Sequence, residues 1–200
     1  VVRSNGEYLY NFCSPVDDGV MKVTHVVRDR GKLDLLSKQE MVRISLGFPP
    51  VLYAHTPILV DVFGKRFTHD PDWGDATLQD FVQKGILQEG LISYLLSTLF
   101  GPSEHTYATI DEFCLRLELS RLHAANTVFT PSVLLEHNKH ALQRLSNEEY
   151  MARVREFFDH TNPRVLEYID SDKNLFKLLG DLKRSLYELE GIVEYLTSPR

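Results

Sequence analysis

The chain has 200 residues, of which 43% are hydrophobic and 25% charged, enough apolar material to build a core. Its formal net charge of −6 excludes a protein that coats nucleic acid over its whole surface, because such chains are basic. No apolar run reaches the ~18 residues of a membrane-spanning helix.

The first residues, Val1-Val-Arg-Ser-Asn-Gly-Glu7, lack the apolar stretch of a signal peptide. They read as a strand and turn inside a fold, with further sequence expected upstream. Residues 8–12, Tyr-Leu-Tyr-Asn-Phe, are aromatic and predict a strand. Pro15 to Met21 predicts a short helix or turn. Val23 to Val27 is β-branched and predicts a second strand. Leu35 to Leu46 carries apolar residues at helical spacing and is stopped by Gly47 and Pro49-Pro50. Val51–His55 and Ile58–Val62 predict more strand, and this alternation predicts a parallel α/β unit.

After Gly74 the pattern becomes helical. Leu78, Phe81, Val82, Ile86 and Leu87 begin one stretch, and Leu91 to Phe100 gives another. Thr109-Ile-Asp-Glu112 and Ser146-Asn-Glu-Glu149 are capping boxes, and Thr130-Pro131 is an N-cap followed by proline at the first helical position. Leu175 to Leu196 carries a long amphipathic pattern, and the rest of the chain after Gly74 reads as a run of helices. The two cysteines, Cys13 and Cys114, stand in no paired motif. They read as buried thiols in a reducing compartment, with neither a disulfide framework nor a metal site expected.

Two cationic groups stand out. One is Arg28, Arg30, Lys32, Lys38 and Arg43. The other is Lys65-Arg66 in the stretch Gly64-Lys-Arg-Phe-Thr-His-Asp-Pro-Asp-Trp-Gly74, which follows a buried apolar run. A glycine and two cations after a strand suit phosphate binding, but His69, Asp70, Asp72 and Asp75 oppose it.

Residues 3–28, Arg-Ser-Asn-Gly-Glu-Tyr-Leu-Tyr-Asn-Phe through Thr24-His-Val-Val-Arg28, resemble the second half of the nucleotide-binding fold of glutamyl-tRNA synthetases. Ile44 to Asp61, residues 78–101 and residues 126–149 resemble the successive steps of the same family, in order, in its bacterial and organellar form. The resemblance implies an α/β region followed by an all-α one. Residues 1–75 would be half of a Rossmann-type nucleotide-binding fold. Residues 76–145 would be a helical region contacting the tRNA stem, and 146–200 the start of a helical anticodon-domain-like bundle. It implies that Tyr10 and Asn11 lie on a strand lining the amino-acid pocket and that Arg28 holds the glutamate carboxylate. It also implies that Lys65, Arg66, Thr68 and His69 are what is left of a nucleotide loop.

In the family that loop carries a lysine which steadies the triphosphate, an interaction of several kcal/mol in phosphoryl-transfer chemistry. Here the position is His69, which has no fixed charge at neutral pH, and the next cation is Asp70. After Arg28 the family's glycine is replaced by Asp29. His25 and His55, at family positions, read as hydrogen-bonded structural histidines.

From these departures the favoured expectation is a non-catalytic descendant of a glutamyl-tRNA synthetase. It would be a structural or assembly subunit of a larger RNA–protein complex such as an organellar ribosome, with no catalytic residue and no metal. Its partners would be protein subunits and RNA (tRNA or rRNA), with neither DNA nor membrane, and Arg30, Lys32, Lys38 and Arg43 are candidates for RNA contact. Its location would be a mitochondrial or plastid matrix, or otherwise the cytoplasm. The alternative is a divergent glutamate–tRNA ligase that uses ATP and magnesium. A third class, a plain RNA-binding module, would use Arg116, Arg121 and Lys139.

Overall fold

In the computed structural model, which describes residues 2–71, 73–101, 110–115, 118–171, 173–183 and 185–197, the chain is mixed α/β and mostly helical. It divides into two units. The first comprises Val1–Leu59, Leu99–Gly101 and Glu118–Thr127; the second comprises Val60–Thr98, Pro102–Leu117 and Val128–Arg200.

In the first unit, the strand expected at residues 8–12 is instead the beginning of helix α1, Tyr10–Val20. Among the described residues Tyr8 makes a single antiparallel bridge, to Val2. Its ring, just before the helix, stacks on that of Phe12 in the first turn of α1 at 5.3 Å. Strand preference of Tyr and Phe reflects packing context, and here the context is a helix face. The short helix expected from Pro15 is the second half of α1.

Strand β1, His25–Asp29, pairs in parallel with β2, Leu52–Thr56, setting Val26 opposite Tyr53 and Arg28 opposite His55. Between them run a 3-10 turn, Arg30–Leu35, and helix α2, Leu36–Ser45. This is the β–α–β arrangement that the alternation of patterns predicts. The strand expected over Ile58–Val62 shrinks to β3, Leu59–Val60. Asp61 ends it, because its Oδ1 accepts the Phe63 and Lys65 N–H groups at 2.9 Å each and folds a turn.

In the second unit, α3, Leu78–Gln83, is opened by a reciprocal box of Thr77 and Asp80, and α4 covers Gln88–Phe100. Helix α5, Ile110–Cys114, follows; the box expected before it begins at Thr109, outside the described residues. Strand β4 is Thr127–Val128, and α6, Pro131–Arg144, starts with proline in its first turn. The Thr130 hydroxyl donates to the Val128 carbonyl and does not cap α6.

Helix α7, Asn147–Thr161, has both arms of the Ser146–Glu149 box. Helices α8, Pro163–Ser171, α9, Lys173–Leu182, and α10, Leu186–Thr197, complete the chain. The amphipathic pattern over 175–196 is shared by α9 and α10, which part where Lys183 adopts φ 42°, a left-handed backbone that no right-handed helix accommodates. The core of this unit gathers Leu142, Tyr150, Val154, Phe158, Ile169 and Leu179, each 0–1% exposed. Neither thiol is buried as expected: Cys114 is exposed at the end of a five-residue helix and Cys13 is half-buried on α1.

His137 of α6 lies buried, its Nδ1 2.8 Å from the Ser93 hydroxyl and its ring edge-on to Tyr94 at 5.9 Å. Burial holds its pKa below the ordinary value; His140 adds to the depression and Glu136 opposes it. The unfolded chain therefore takes up a proton that the folded chain resists. This contribution to stability is complete above pH ~6.5 and is lost as pH falls toward the depressed value. The expected result is a urea midpoint that drops as pH is lowered from about 7 to about 5, with a shallower drop in His137→Gln.

Candidate functional site

The β1–α2–β2 crossover places three side chains around Arg28. Gln39, 1% exposed on α2, accepts Nη1–H of Arg28 through Oε1 at 2.6 Å. Arg28 Nε–H points to His55 Nε2 at 3.4 Å, and the guanidinium carbon lies 5.1 Å from the centre of the Tyr53 ring. Burial first, then the Arg28 and Arg30 cations, push the His55 pKa down, with Asp29 opposing. A neutral imidazole can accept from arginine, and the depression favours that form. Burial and the Glu40 carboxylate lift the Tyr53 phenol to about 12, so it stays neutral against the guanidinium. Burial also raises the Asp18 carboxyl, against the pull of Arg28.

Two donors of this cluster, Arg28 Nη2 and Gln39 Nε2, are buried without a hydrogen-bond partner among the described residues. Arginine offers no acceptor, so Gln39 must turn its oxygen, not its amide nitrogen, to Arg28. A buried unpaired donor costs about 1–3 kcal/mol. An anionic oxygen, such as that of a carboxylate, is the group that best relieves two of them.

The other expected pocket residues sit apart from this cluster. Tyr10 and Asn11 lie on the first turn of α1, not on a strand. The Tyr10 ring is exposed, under Lys32 Nζ at 5.7 Å. Asn11 lines a groove with Leu9, Phe12, Lys38, Met41 and Val42, and its Oδ1 is buried without a partner among the described residues. His55, Tyr53 and His25 line a second pocket with Leu52, Leu119 and Leu122. His25 Nδ1 is 3.0 Å from the Thr24 hydroxyl.

The loop of Lys65, Arg66, Thr68 and His69 belongs to the second unit. Arg66 bridges to Val60, Lys65 and Thr68 are exposed, and His69 Nδ1 lies 2.8 Å from Asp75 Oδ1. Asp70 exchanges two backbone bonds with Gly74, 2.8 Å each, and its Oδ1 accepts the Trp73 N–H at 3.0 Å. Trp73 is buried against Phe81 and Phe129. The acidic residues thus have a local use: Asp70 builds the turn and Asp75 holds the histidine. Asp72 lies outside the described residues. With carboxylates at these places the loop does not fit a triphosphate. Among the described residues no group of three or more His, Cys, Asp or Glu could hold a metal ion.

The expected RNA contacts divide. Arg43 is 9% exposed and directs its guanidinium to Glu40 at 2.7–2.9 Å and to the Phe48 carbonyl at 2.7 Å, so it does not face solvent. Arg30 donates to the Ala124 carbonyl, and Lys38 is exposed. Arg121 and Lys139 are exposed, and Arg116 lies outside the described residues.

Sequence reasoning missed Gln39 and Tyr53. The signal for Gln39 was a polar residue on the inward stripe of α2, in step with Leu36 and Val42.

The family described as tRNA synthetases class I (E and Q), catalytic domain, matches residues 1–143. Glutamate–tRNA ligase 2 of Caldicellulosiruptor saccharolyticus is 26% identical over 198 residues, covering 98% of this chain and 40% of the relative. Glutamate–tRNA ligase 2 of Rubrobacter xylanophilus is 30% identical over 151 residues, covering 74% of this chain and 30% of that protein. The chain thus spans two fifths or less of the length of these relatives. A crystal structure of a glutamate tRNA ligase from Elizabethkingia meningosepticum, in complex with its amino acid, superposes with a TM-score of 0.77 at 21% identity. It covers 100% of this chain and 43% of that one, and the likeness is one of fold.

Proposed function

Since the chain belongs to the class I tRNA synthetases for glutamate and glutamine by its catalytic domain, we propose that it carries the carboxylate-binding part of a glutamate–tRNA ligase. In this reading residues 1–75 are the second half of the nucleotide-binding fold, 76–145 face the tRNA stem and 146–200 begin a helical bundle. The whole protein joins glutamate to tRNA with ATP and magnesium, and residues other than 64–74 handle the triphosphate. The observation that carries it is the half-buried Arg28 guanidinium, held by Gln39, His55 and Tyr53 and left with a buried Nη2 that has no partner among the described residues. The glutamate ligases among its relatives support the same reading. It reverses the order of preference drawn from the sequence.

ATP, when bound, supplies the activated phosphoanhydride. The part of this chain is to fix the amino acid: Arg28 neutralises a carboxylate, His55 stays neutral beside it, and the Tyr53 ring lies against the guanidinium.

A second reading is favoured by a separate observation, the His69–Asp75 pair in the loop where the family places a lysine. Here the chain is a non-catalytic subunit of a larger RNA–protein complex in a mitochondrial or plastid matrix, with protein subunits and tRNA or rRNA as partners. No helix among the described residues is long and apolar enough to cross a membrane.

Glutamate-dependent exchange of pyrophosphate into ATP separates the two. The protein carrying this chain, with magnesium and tRNA, is expected to show exchange under the first reading. Glutamate binding without exchange supports the second. Neither binding nor exchange overturns the first.

A further inference from the structure

Gln39 carries no charge and lines neither groove of the first unit described above, yet it is among the most deeply buried polar side chains of that unit, at 1% exposed. Its carbonyl oxygen takes one N–H of Arg28 at 2.6 Å, the shortest of the guanidinium's contacts. Its amide nitrogen and Arg28 Nη2 are both buried and both unpaired among the described residues.

Buried donors are nearly always satisfied in folded proteins. Two unpaired donors on the two partners of one hydrogen bond are therefore a specific departure. Arginine can accept nothing, so the orientation of the Gln39 amide is fixed by the first bond. Gln39 removes Nη1 from competition and leaves Nη2 as the guanidinium edge with donors to spare.

We propose that Gln39 and Arg28 act as one anion clamp, in which Gln39 Oε1 positions the guanidinium and Gln39 Nε2 joins Arg28 Nη2 in donating to a ligand carboxylate. The inference rests on the carboxylate-binding reading and adds a residue to it. Gln39 also confers selectivity: an amide donor next to a cation favours an oxygen acceptor and disfavours a ligand that presents only N–H groups. The depressed pKa of His55 fits the same arrangement, since a second cation there would compete with Arg28 for the anion.

Gln39→Glu and Gln39→Leu separate this role from simple packing. The glutamate variant puts a carboxylate of nearly the same shape against Arg28, which would fill the clamp from within. It is expected to unfold at the same urea concentration as the wild type or higher, and to lose at least 30-fold in affinity for L-glutamate by titration calorimetry. The leucine variant removes both amide functions and is expected to lose affinity while remaining folded by circular dichroism. Glutarate and acetate serve as further probes on the wild type.

If both variants bind glutamate as the wild type does, the clamp is overturned and the glutamate reading stands. If the wild type binds glutarate but not glutamate, the clamp stands and the glutamate reading falls. If the wild type binds none of the three anions, both fall. If Gln39→Glu is strongly destabilised, Gln39 is a packing residue and the clamp is overturned.

Discussion

Replacing Gly90 by alanine is expected to destabilise the second unit by about 3 kcal/mol or more, the sum of overpacking and broken buried hydrogen bonds. Gly90 sits in the first turn of α4, where an added Cβ would lie 2.7 Å from the Asn138 Cα and 2.8 Å from its Oδ1. The nearest obstacle is backbone, so it cannot swing away as the tip of a long side chain would. Asn138, 1% exposed on α6, is itself committed: its Oδ1 accepts the Leu87 N–H at 2.8 Å and its Nδ2 donates to the Gly85 carbonyl at 3.1 Å. Pushing it aside breaks both bonds inside the core, each leaving a group that costs about 1–3 kcal/mol. Urea unfolding followed by circular dichroism measures the loss. Gly191→Ala on α10 is the control, since nothing lies within 4 Å of its added methyl. There a gain of about 0.5–1 kcal/mol is expected from helix propensity. A Gly90→Ala protein as stable as the wild type would contradict the close packing of α4 on α6.

The second large effect concerns Arg28. Arg28→Ala is expected to weaken glutamate binding at least 100-fold, in keeping with the 2–5 kcal/mol cost of removing one partner of a buried charge pair. The cavity it leaves also strands the Gln39 oxygen, so a smaller loss of stability, about 1–3 kcal/mol, accompanies it. Arg28→Lys is not expected to rescue binding. The guanidinium meets Gln39 with Nη1 and His55 with Nε while its carbon sits over the Tyr53 ring, and a single ammonium cannot satisfy three directions at once. Titration calorimetry of the folded variants decides the matter: retention of wild-type affinity in Arg28→Ala removes this arginine from the site.

Local chemistry was the most legible part of the sequence. The Ser146–Glu149 box, the proline opening α6 and the glycine closing α2 are decided by residues within one turn of each other, and all three stand where expected. The parallel pairing of β1 with β2 followed from alternation of patterns. The opening element was misjudged for a physical reason. Tyr10 and Phe12 suit a strand by type but open helix α1, while Tyr8 stays extended just before it. Lys183 gives no sign of the left-handed turn that parts α9 from α10, a conformation usually left to glycine. At the site, the resemblance pointed to Arg28, and the loss of a lysine at His69 was visible in the letters. The partners of both were not, because Gln39, Tyr53 and His55 meet Arg28 only through the crossover, and Asp75 meets His69 only once Asp70 has closed the turn.

The first unit is discontinuous along the chain, made of a long opening segment and two short later ones. This has a consequence for synthesis on the ribosome. When residue 59 emerges, the unit still lacks Asn126, whose side chain receives the Ile58 N–H at 3.3 Å, and Thr127, whose N–H reaches the Ile58 carbonyl at 3.1 Å. It also lacks Ala124, the acceptor for Arg30. The nascent α/β segment must therefore wait through more than sixty further residues before its own last contacts can close. A gene cut at any single codon between these segments would separate a unit from part of itself.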